Sequence, residues 1–408
     1  MVDINGSRLL ESLMTLRSFG ASEGGVVRPT FSDDDMAARR WLRGQMEAVG
    51  LSAVVDGVGN VFGRSPNPGP ALIIGSHSDT QPRGGWLDGA MGVMYALEIS
   101  RALAEDRSTR GLAVDTVAWS DEEGTYTSCL GSVSFVGGLT ETELQHTNSA
   151  GETVAAAIDR LGLAEVPRVH LDPSRHVGYV EAHIEQGPHL EDAGMRIGVV
   201  TSIVGIRAMR VTFTGEQNHA GTTPMARRKD AGAAMFDFGA RIRARLSEVT
   251  GPTTVWTIGN ATLDPGAESI IPGFAELIVQ FRDPRDAVLD AMEAVIISTA
   301  AEMTSDGPVE VRTSRPREPI APTEMNSHLR GRIGAAAEAR VPGEWVEMPS
   351  AAGHDPMVIA HHLPCAMLFI PSIDGVSHDF AENSHDVDIV TGCQVLADAT
   401  VSILTDAP

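Results

Sequence analysis

Ala71-Leu72-Ile73-Ile74-Gly75-Ser76-His77-Ser78-Asp79 opens on four apolar residues and closes on a histidine and an acid two positions apart. A short apolar run that ends in Gly and polar residues reads as a buried strand. Downstream, residues 92–105 carry a helical pattern, and Leu112-Ala113-Val114-Asp115-Thr116-Val117-Ala118-Trp119 is a second strand-like run. Strand, helix, strand at this spacing predicts a βαβ unit and a mainly parallel sheet. Each strand runs directly into reactive residues, His77-Ser78-Asp79 after the first and Asp121-Glu122-Glu123 after the second. Open α/β sheets bind ligands beyond the carboxyl ends of their strands, so these segments are the first place to look for a site. Upstream, residues 7–20 and 33–50 read as amphipathic helices, the second with Ser32 or Asp33 as N-cap and Gly50 as C-cap.

The texture changes after about residue 206. Arg207-Ala208-Met209-Arg210-Val211-Thr212-Phe213 alternates like a strand. A helix is expected over 224–246, with Thr223 as N-cap and Pro224 in its first turn. Strands follow at 253–262 and 274–282, then a helix at 285–303. This order predicts a small α+β two-layer insert. Past Pro316, Pro319 and Pro322, helix (326–340) and short strands return. The expected organisation is an α/β catalytic domain in two parts, 1–206 and 317–408, interrupted by an inserted domain at 207–316.

With 408 residues, the chain exceeds what one hydrophobic core usually holds. Its formal net charge of -23 repels phosphate backbones, which argues against nucleic acid as a partner. An anionic small substrate needs a local basic contact against that field. Cys129, Cys365 and Cys393 are scattered, with no CxxC, so neither a disulfide framework nor a zinc ribbon is expected and a reducing cytoplasm is the simplest location. The N-terminus lacks the apolar run of a signal peptide, and no stretch of 18 apolar residues suggests a membrane span.

Five segments carry candidate chemistry. His77 with Asp79 suits a metal ligand and its orienting carboxylate, or a surface-loop histidine. Asp88, between Leu87 and Gly89 at a loop-to-helix junction, suits a carboxylate bridging two cations, or an N-cap. Asp121-Glu122-Glu123 is either a solvated acidic turn or a site where one Glu ligates and another takes a proton from water. His183 lies in the strand-like run 179–185 and could ligate. Gln186 beyond it offers the uncharged donor and acceptor that a ureido or amide group requires. His378, with His385 as competitor, is the last. Three histidines and two carboxylates are the mixed N/O set that first-row divalent ions take.

The segments GSHSDTQPRGGWLDGAMGV, SDEEG, EAHIEQG, HAGTTPMARRKDA, PGAESIIPG and GVSHDFAEN together span residues 75–383. In this order they resemble the hydantoinase/carbamoylase branch of the M20 metallopeptidase-like amidohydrolases. The resemblance implies a di-metal catalytic domain with an inserted lid and dimerisation domain. It implies His77, Asp88, Glu123, His183 and His378 as ligands of two divalent ions per subunit (Zn, Mn, Co or Ni), with Asp88 bridging. Glu122 is then the general base and Asp79 orients His77. His219 is the lid histidine, steadying the oxyanion in the partner subunit of a homodimer. Gln186, Ser269, Arg282, Gly353 and His354 match substrate-binding positions, Arg282 as the carboxylate clamp. For Arg282 the plainer alternative is a surface ion pair with Asp283 or Asp286, for His219 a structural cap, and for His354 a merely structural role.

The chain departs from the family pattern in three places. Ser269 replaces an Asn that contacts substrate, which removes an amide and opens space. Gln280 replaces the Asp two residues before the clamp. Thr125-Tyr126 follow the acidic motif in place of an Arg-Phe pair. The implied activity is hydrolysis of the ureido or amide C–N bond of a small carboxylate, with an N-carbamoyl-L-amino acid first. Allantoate or an N-acyl amino acid are the alternatives, and a catalytically silent binding protein on the same fold is the rival from another class.

Overall fold

The computed structural model describes residues 2–406. Along the chain we label α1 (Gly6–Arg17), α2 (Asp33–Ala48), β1 (Ser52–Val55), β2 (Val61–Arg64), β3 (Ala71–His77), α3 (Ala90–Glu105), β4 (Ala113–Trp119), β5 (His176–Ile184) and β6 (Ile197–Ile203). Then follow β7 (Gly205–Thr214), α4 (Ala231–Leu246), β8 (Val255–Asp264), β9 (Phe274–Asp283), α5 (Asp286–Asp306) and β10 (Glu310–Ser314). The last stretch holds α6 (Ser327–Arg340), β11 (Trp345–Ser350), β12 (Cys365–Ile370) and α7 (Asp386–Asp406).

Residues up to Thr201 and from Glu324 onward form one compact unit. Its sheet runs β6-β12-β5-β3-β4-β2-β1, with β11 beside β6. The centre is parallel, β12 to β5 to β3 to β4, and antiparallel strands flank it. Every residue of β3 and β4 is buried, as expected of a parallel sheet covered on both faces. Helix α3 lies directly on β5: a Cβ at Gly92 would sit 2.3 Å from the Ala182 carbonyl oxygen. Ser32 caps α2, accepting the Asp35 N–H, a contact worth about 1 kcal/mol. Gly50, at φ +93°, sits just past the end of that helix.

Ser202–Thr323 form the second unit. Its antiparallel sheet runs β8-β9-β7-β10. Helices α4 and α5 cover one face, and Phe213, Phe238, Leu277, Val279, Met292 and Ile296 fill the core between the layers. Burial alternates strictly along β9, so Leu277, Val279 and Phe281 face the helices while Gln280 and Arg282 face away from them.

Two expectations need correction. The inserted unit is wider than 207–316. A single residue, Val204, separates β6 from β7, and Ile320 pairs back onto Ile206, which draws the segment after Pro316 into the insert. Helix α4 starts at Ala231, capped by Asp230, and not at Pro224. Pro224 and Arg228 are both extended around a short 3-10 turn, and the Arg228 guanidinium is tied to the carbonyls of Thr223 and Ala220. Helix α7 is long and apolar enough to cross a membrane by length and composition alone. Its apolarity has another cause, since Ile389, Cys393, Leu396 and Ile403 lie in the core of the first unit.

Candidate metal centre

His77 is the last residue of β3, and Glu122 and Glu123 follow β4 by three and four positions. Because β3 and β4 are parallel neighbours in register, with His77 opposite Trp119, both segments emerge at the same edge of the sheet. His183, near the end of β5, joins them there for the same reason. Asp88 comes from the loop that enters α3. It does not cap that helix: Gly89 is the N-cap and no side chain caps it.

The carboxylate of Asp88 is divided between two sets of partners. Its Oδ1 lies 3.0 Å from His183 Nε2 and 3.4 Å from His77 Nε2. Its Oδ2 lies 3.2 Å from His378 Nε2, which is 3.8 Å from Glu123 Oε2. Two groups result, His77-Asp88-His183 and Asp88-Glu123-His378, each with ligand atoms within 4.8 Å of one another. His385 is exposed and lies outside both. The backbone fixes the tautomers: His77 Nδ1 lies 3.1 Å from the Asp79 carbonyl and His183 Nδ1 lies 2.9 Å from the Ile184 carbonyl. Each therefore donates from Nδ1, which leaves Nε2 facing Asp88. Asp79 holds His77 through its backbone oxygen; its carboxylate Oδ2 instead accepts the Glu123 N–H at 3.2 Å. Gly89 makes room for this arrangement, because a Cβ there would lie 2.4 Å from His77 Nε2 and the residue has φ +63°.

The electrostatics describe a site that attracts positive charge. Burial opposes a charged His77, yet Glu122, Asp88 and Asp79 outweigh it and raise its pKa well above the ordinary value. Hydrogen bonding to Asp88, against burial and aided by Glu123, lifts His378 to about 9. Burial and the Asp88 charge push Glu123 to about 7, and burial with Asp355, Glu123 and Asp88 raises Glu122 as well. Burial would raise Asp88 too, but His183, His378 and His77 hold it well below its usual range. Here protons on imidazoles do what a divalent cation would do better. Glu123 Oε1 is also buried with no hydrogen-bond partner. Mixed imidazole and carboxylate donors of this kind fit first-row divalent ions.

Around this core, Glu122 Oε2 stands 3.7 Å from His77 Nε2. Gln186 donates to Asp88 Oδ2 and Ser377 Oγ, both at 3.2 Å. His354 is 2% exposed, bonded to Ser350 Oγ, and its ring lies 4.6 Å from that of His183. Burial holds His354 neutral. It backs a candidate ligand, as the structural alternative for this residue has it, while Gly353 beside it is partly exposed.

The second unit gathers the remaining expected residues. His219 and Ser269 are neighbours, through the pairing of His219 with Ile270 and the hydrogen bond from Ala220 N–H to the Ser269 carbonyl. The exposed His219 accepts the Gly221 and Thr222 N–H groups on Nδ1, at 2.9 and 3.2 Å, so its proton is on Nε2. Arg282 donates from Nε and Nη2 to Gln280 Oε1. Asp283 is engaged by Arg285 and Thr254, and Asp286 by Arg207.

Sequence reasoning missed Glu382 and Glu181. Glu382 is buried and accepts the N–H groups of Leu87 and Asp88 and the Ser377 hydroxyl, which ties the Asp88 loop to the His378 loop. No local signal marks it. Glu181 is held by Ser76 and Tyr179 and shares a group with His183 and His354. Its i, i+2 spacing to His183 on a strand was the available clue.

The profile described as Peptidase family M20/M25/M40 matches residues 73–401. An N-carbamoyl-L-amino acid amidohydrolase of Geobacillus stearothermophilus is 33% identical, over 96% of this chain and 97% of that protein. An allantoate amidohydrolase of Escherichia coli K12 is also 33% identical, over 95% of each. Among solved structures, an amidase of the hydantoinase/carbamoylase family from Burkholderia phymatum superimposes with a TM-score of 0.94, at 49% identity and 99% coverage of both chains. With the family profile spanning most of the chain and these relatives matching end to end, the chain belongs to the M20/M25/M40 peptidase family, in its hydantoinase/carbamoylase branch of amidases.

Proposed function

We propose that the chain hydrolyses the ureido C–N bond of a small carboxylate-bearing substrate, an N-carbamoyl-L-amino acid or a related ureido acid. The observation that carries this reading is Asp88, whose two oxygens serve separate imidazole groups with Glu122 alongside. His77, Asp88 and His183 would hold one divalent ion, and Asp88, Glu123 and His378 a second. Zn, Mn, Co and Ni all suit these donors. Such ions supply Lewis-acid activation of water and of the scissile carbonyl. Glu122 takes the proton from the attacking water and returns it to the leaving nitrogen. Gln186 offers its amide to the ureido group. Arg282 presents a fork to the carboxylate, with neutral Gln280 beside it. His219, its proton fixed on Nε2, donates to the developing oxyanion. Ser269 and Gly353 complete the substrate contacts.

A homodimer in a reducing cytoplasm belongs to the same reading, with His219 of one copy serving the centre of the other. Two observations support the dimer. Strand β8 is an edge, paired among the described residues only to β9, with Val255, Ile258 and Leu263 exposed. Phe236 of α4, 68% exposed, shares a helix face with Gly232 and Gly239, which lie against Leu263 and Ile258. The free thiols of Cys129, Cys365 and Cys393 fit a reducing compartment.

Equal identity to the two named relatives makes allantoate the second candidate substrate. A panel of N-carbamoyl amino acids, allantoate, β-ureidopropionate and N-acyl amino acids tests the reading, scored for ammonia and for free acid. Ammonia release that stops after chelation and returns with Mn, Co, Ni or Zn is expected. Acid release without ammonia would replace ureido by amide cleavage, and no turnover with any metal would leave a binding protein.

A further inference from the structure

Two arginines lie fully buried in the first unit, Arg28 before α2 and Arg39 within it. Removing a guanidinium from water is expensive, and burial pulls Arg28 down to about 10. Arg28 spends its donors on backbone oxygens: Nε on Ser78 at 2.7 Å, and Nη1 on Leu16 at 2.9 Å and Phe19 at 2.8 Å. Its own backbone is locked to the same loop, since its N–H donates to Thr80 Oγ1 and its carbonyl accepts the Thr80 N–H. Arg39 pairs with Asp35 one helical turn away, Nε to Oδ2 at 2.8 Å, and its Nη1 is shared between the carbonyls of Gly59 at 2.8 Å and Trp119 at 3.2 Å.

The carbonyls chosen are informative. Ser78 is the residue between His77 and Asp79, and Trp119 is the last residue of β4, just before Glu122 and Glu123. Asp79 then joins the two strand ends by accepting the Glu123 N–H. We propose that Arg28 and Arg39 are positioning residues, a buried pair of guanidinium clamps that fix the ends of β3 and β4 so that His77, Glu122 and Glu123 keep the spacing the metal centre needs. The inference rests on the metal-centre reading above. Stability alone is a poor reason for such a cluster, because apolar side chains of equal volume usually serve an interior as well or better. What the arginines add is geometry: a rigid planar fork reaches two or three carbonyls at fixed angles, whereas a lysine offers one point charge.

Arg39→Lys and Arg28→Lys separate charge from geometry, and Arg39→Gln removes both. Arg175→Lys is the control: Arg175 is also a buried arginine, paired with Asp115 at 2.9 Å beside the opposite ends of the same strands. All are purified in full length. The measurements are Tm without metal, Mn and Co affinity by equilibrium dialysis, the visible spectrum of the Co-loaded protein, and kcat and KM at saturating metal. The two clamp lysine variants are expected to lose about 10- to 100-fold in metal affinity. They should also shift the Co spectrum and lower kcat with KM changed less than about twofold. Arg175→Lys should lose comparable Tm and none of these. Clamp variants that lose Tm but keep wild-type metal affinity, Co spectrum and kcat would overturn the proposal. So would an equal loss of metal affinity in Arg175→Lys. If Arg39→Gln fails to fold, the lysine variants decide. A wild-type protein that binds no metal would instead reject the metal-centre reading itself.

Discussion

At the scale of single residues, the centre is organised by a carboxylate that is asked to do two things at once. Asp88 reaches imidazoles on both of its oxygens, and Glu382 fixes its backbone from below. Glu122 makes no comparable bridge, and its Oε2 stands 3.7 Å from His77 Nε2. Distance alone does not divide base from ligand, since Glu123 Oε2 lies 3.8 Å from His378 Nε2. What differs is that Glu123 falls in a group with Asp88 and His378, and Glu122, among the described residues, in none. Glu122→Gln should keep the wild-type metal content, measured by elemental analysis, while turnover falls by about 10²- to 10⁴-fold. Loss of metal in that variant would make Glu122 a ligand. Gly89 gives a complementary prediction. Gly89→Ala places a methyl group 2.4 Å from His77 Nε2 at a backbone angle that alanine resists. It should lower metal affinity by at least tenfold and cost about 1–3 kcal/mol of stability, both readable by calorimetry. Unchanged metal binding would show that His77 does not need its present position.

At the scale of elements, the decisive geometry is that of parallel strand ends. The apolar runs of β3 and β4 were legible because buried parallel strands are apolar throughout, and the residues just past them were marked as reactive by position alone. The meeting of His77, Asp88, Glu123, His183 and His378 was legible only through resemblance, since nothing local ties His378 to a loop nearly three hundred residues earlier. Glu382, Arg28 and Arg39 stayed hidden for a related reason: the contacts that tie them to the Asp88 loop and the strand ends are to backbone groups, which every residue type offers. The start of α4 was misread because Thr223-Pro224 is a genuine helix-start signal, overridden by the Arg228 side chain bonding back to that loop. Strand β8 carries its own prediction. An apolar edge left unpaired is a template for another chain, and lysine at such an edge is disruptive. Ile258→Lys combined with Phe236→Glu should shift sedimentation from dimer to monomer while the fold, read by circular dichroism, persists. A wild-type protein that sediments as a monomer at micromolar concentration would dispose of the β8 interface.

At the scale of the whole molecule, a net charge of -23 must be reconciled with a substrate that carries a carboxylate. The long-range field works against association, while the proposed Arg282 clamp would act only at short range. Salt distinguishes the two contributions. Raising ionic strength from about 10 mM to about 150 mM shortens the screening length from about 30 Å to about 8 Å. That removes most of the distant repulsion and leaves a partly buried contact largely intact. For a carboxylate substrate, KM should therefore fall several-fold across this range with kcat nearly constant. An uncharged amide analogue of the same substrate should show no such trend, which separates screening from a general effect of salt on the enzyme. Should KM instead rise with salt for the carboxylate alone, attraction by local arginines would exceed the repulsion of the acidic surface, and the net charge would have no part in substrate capture.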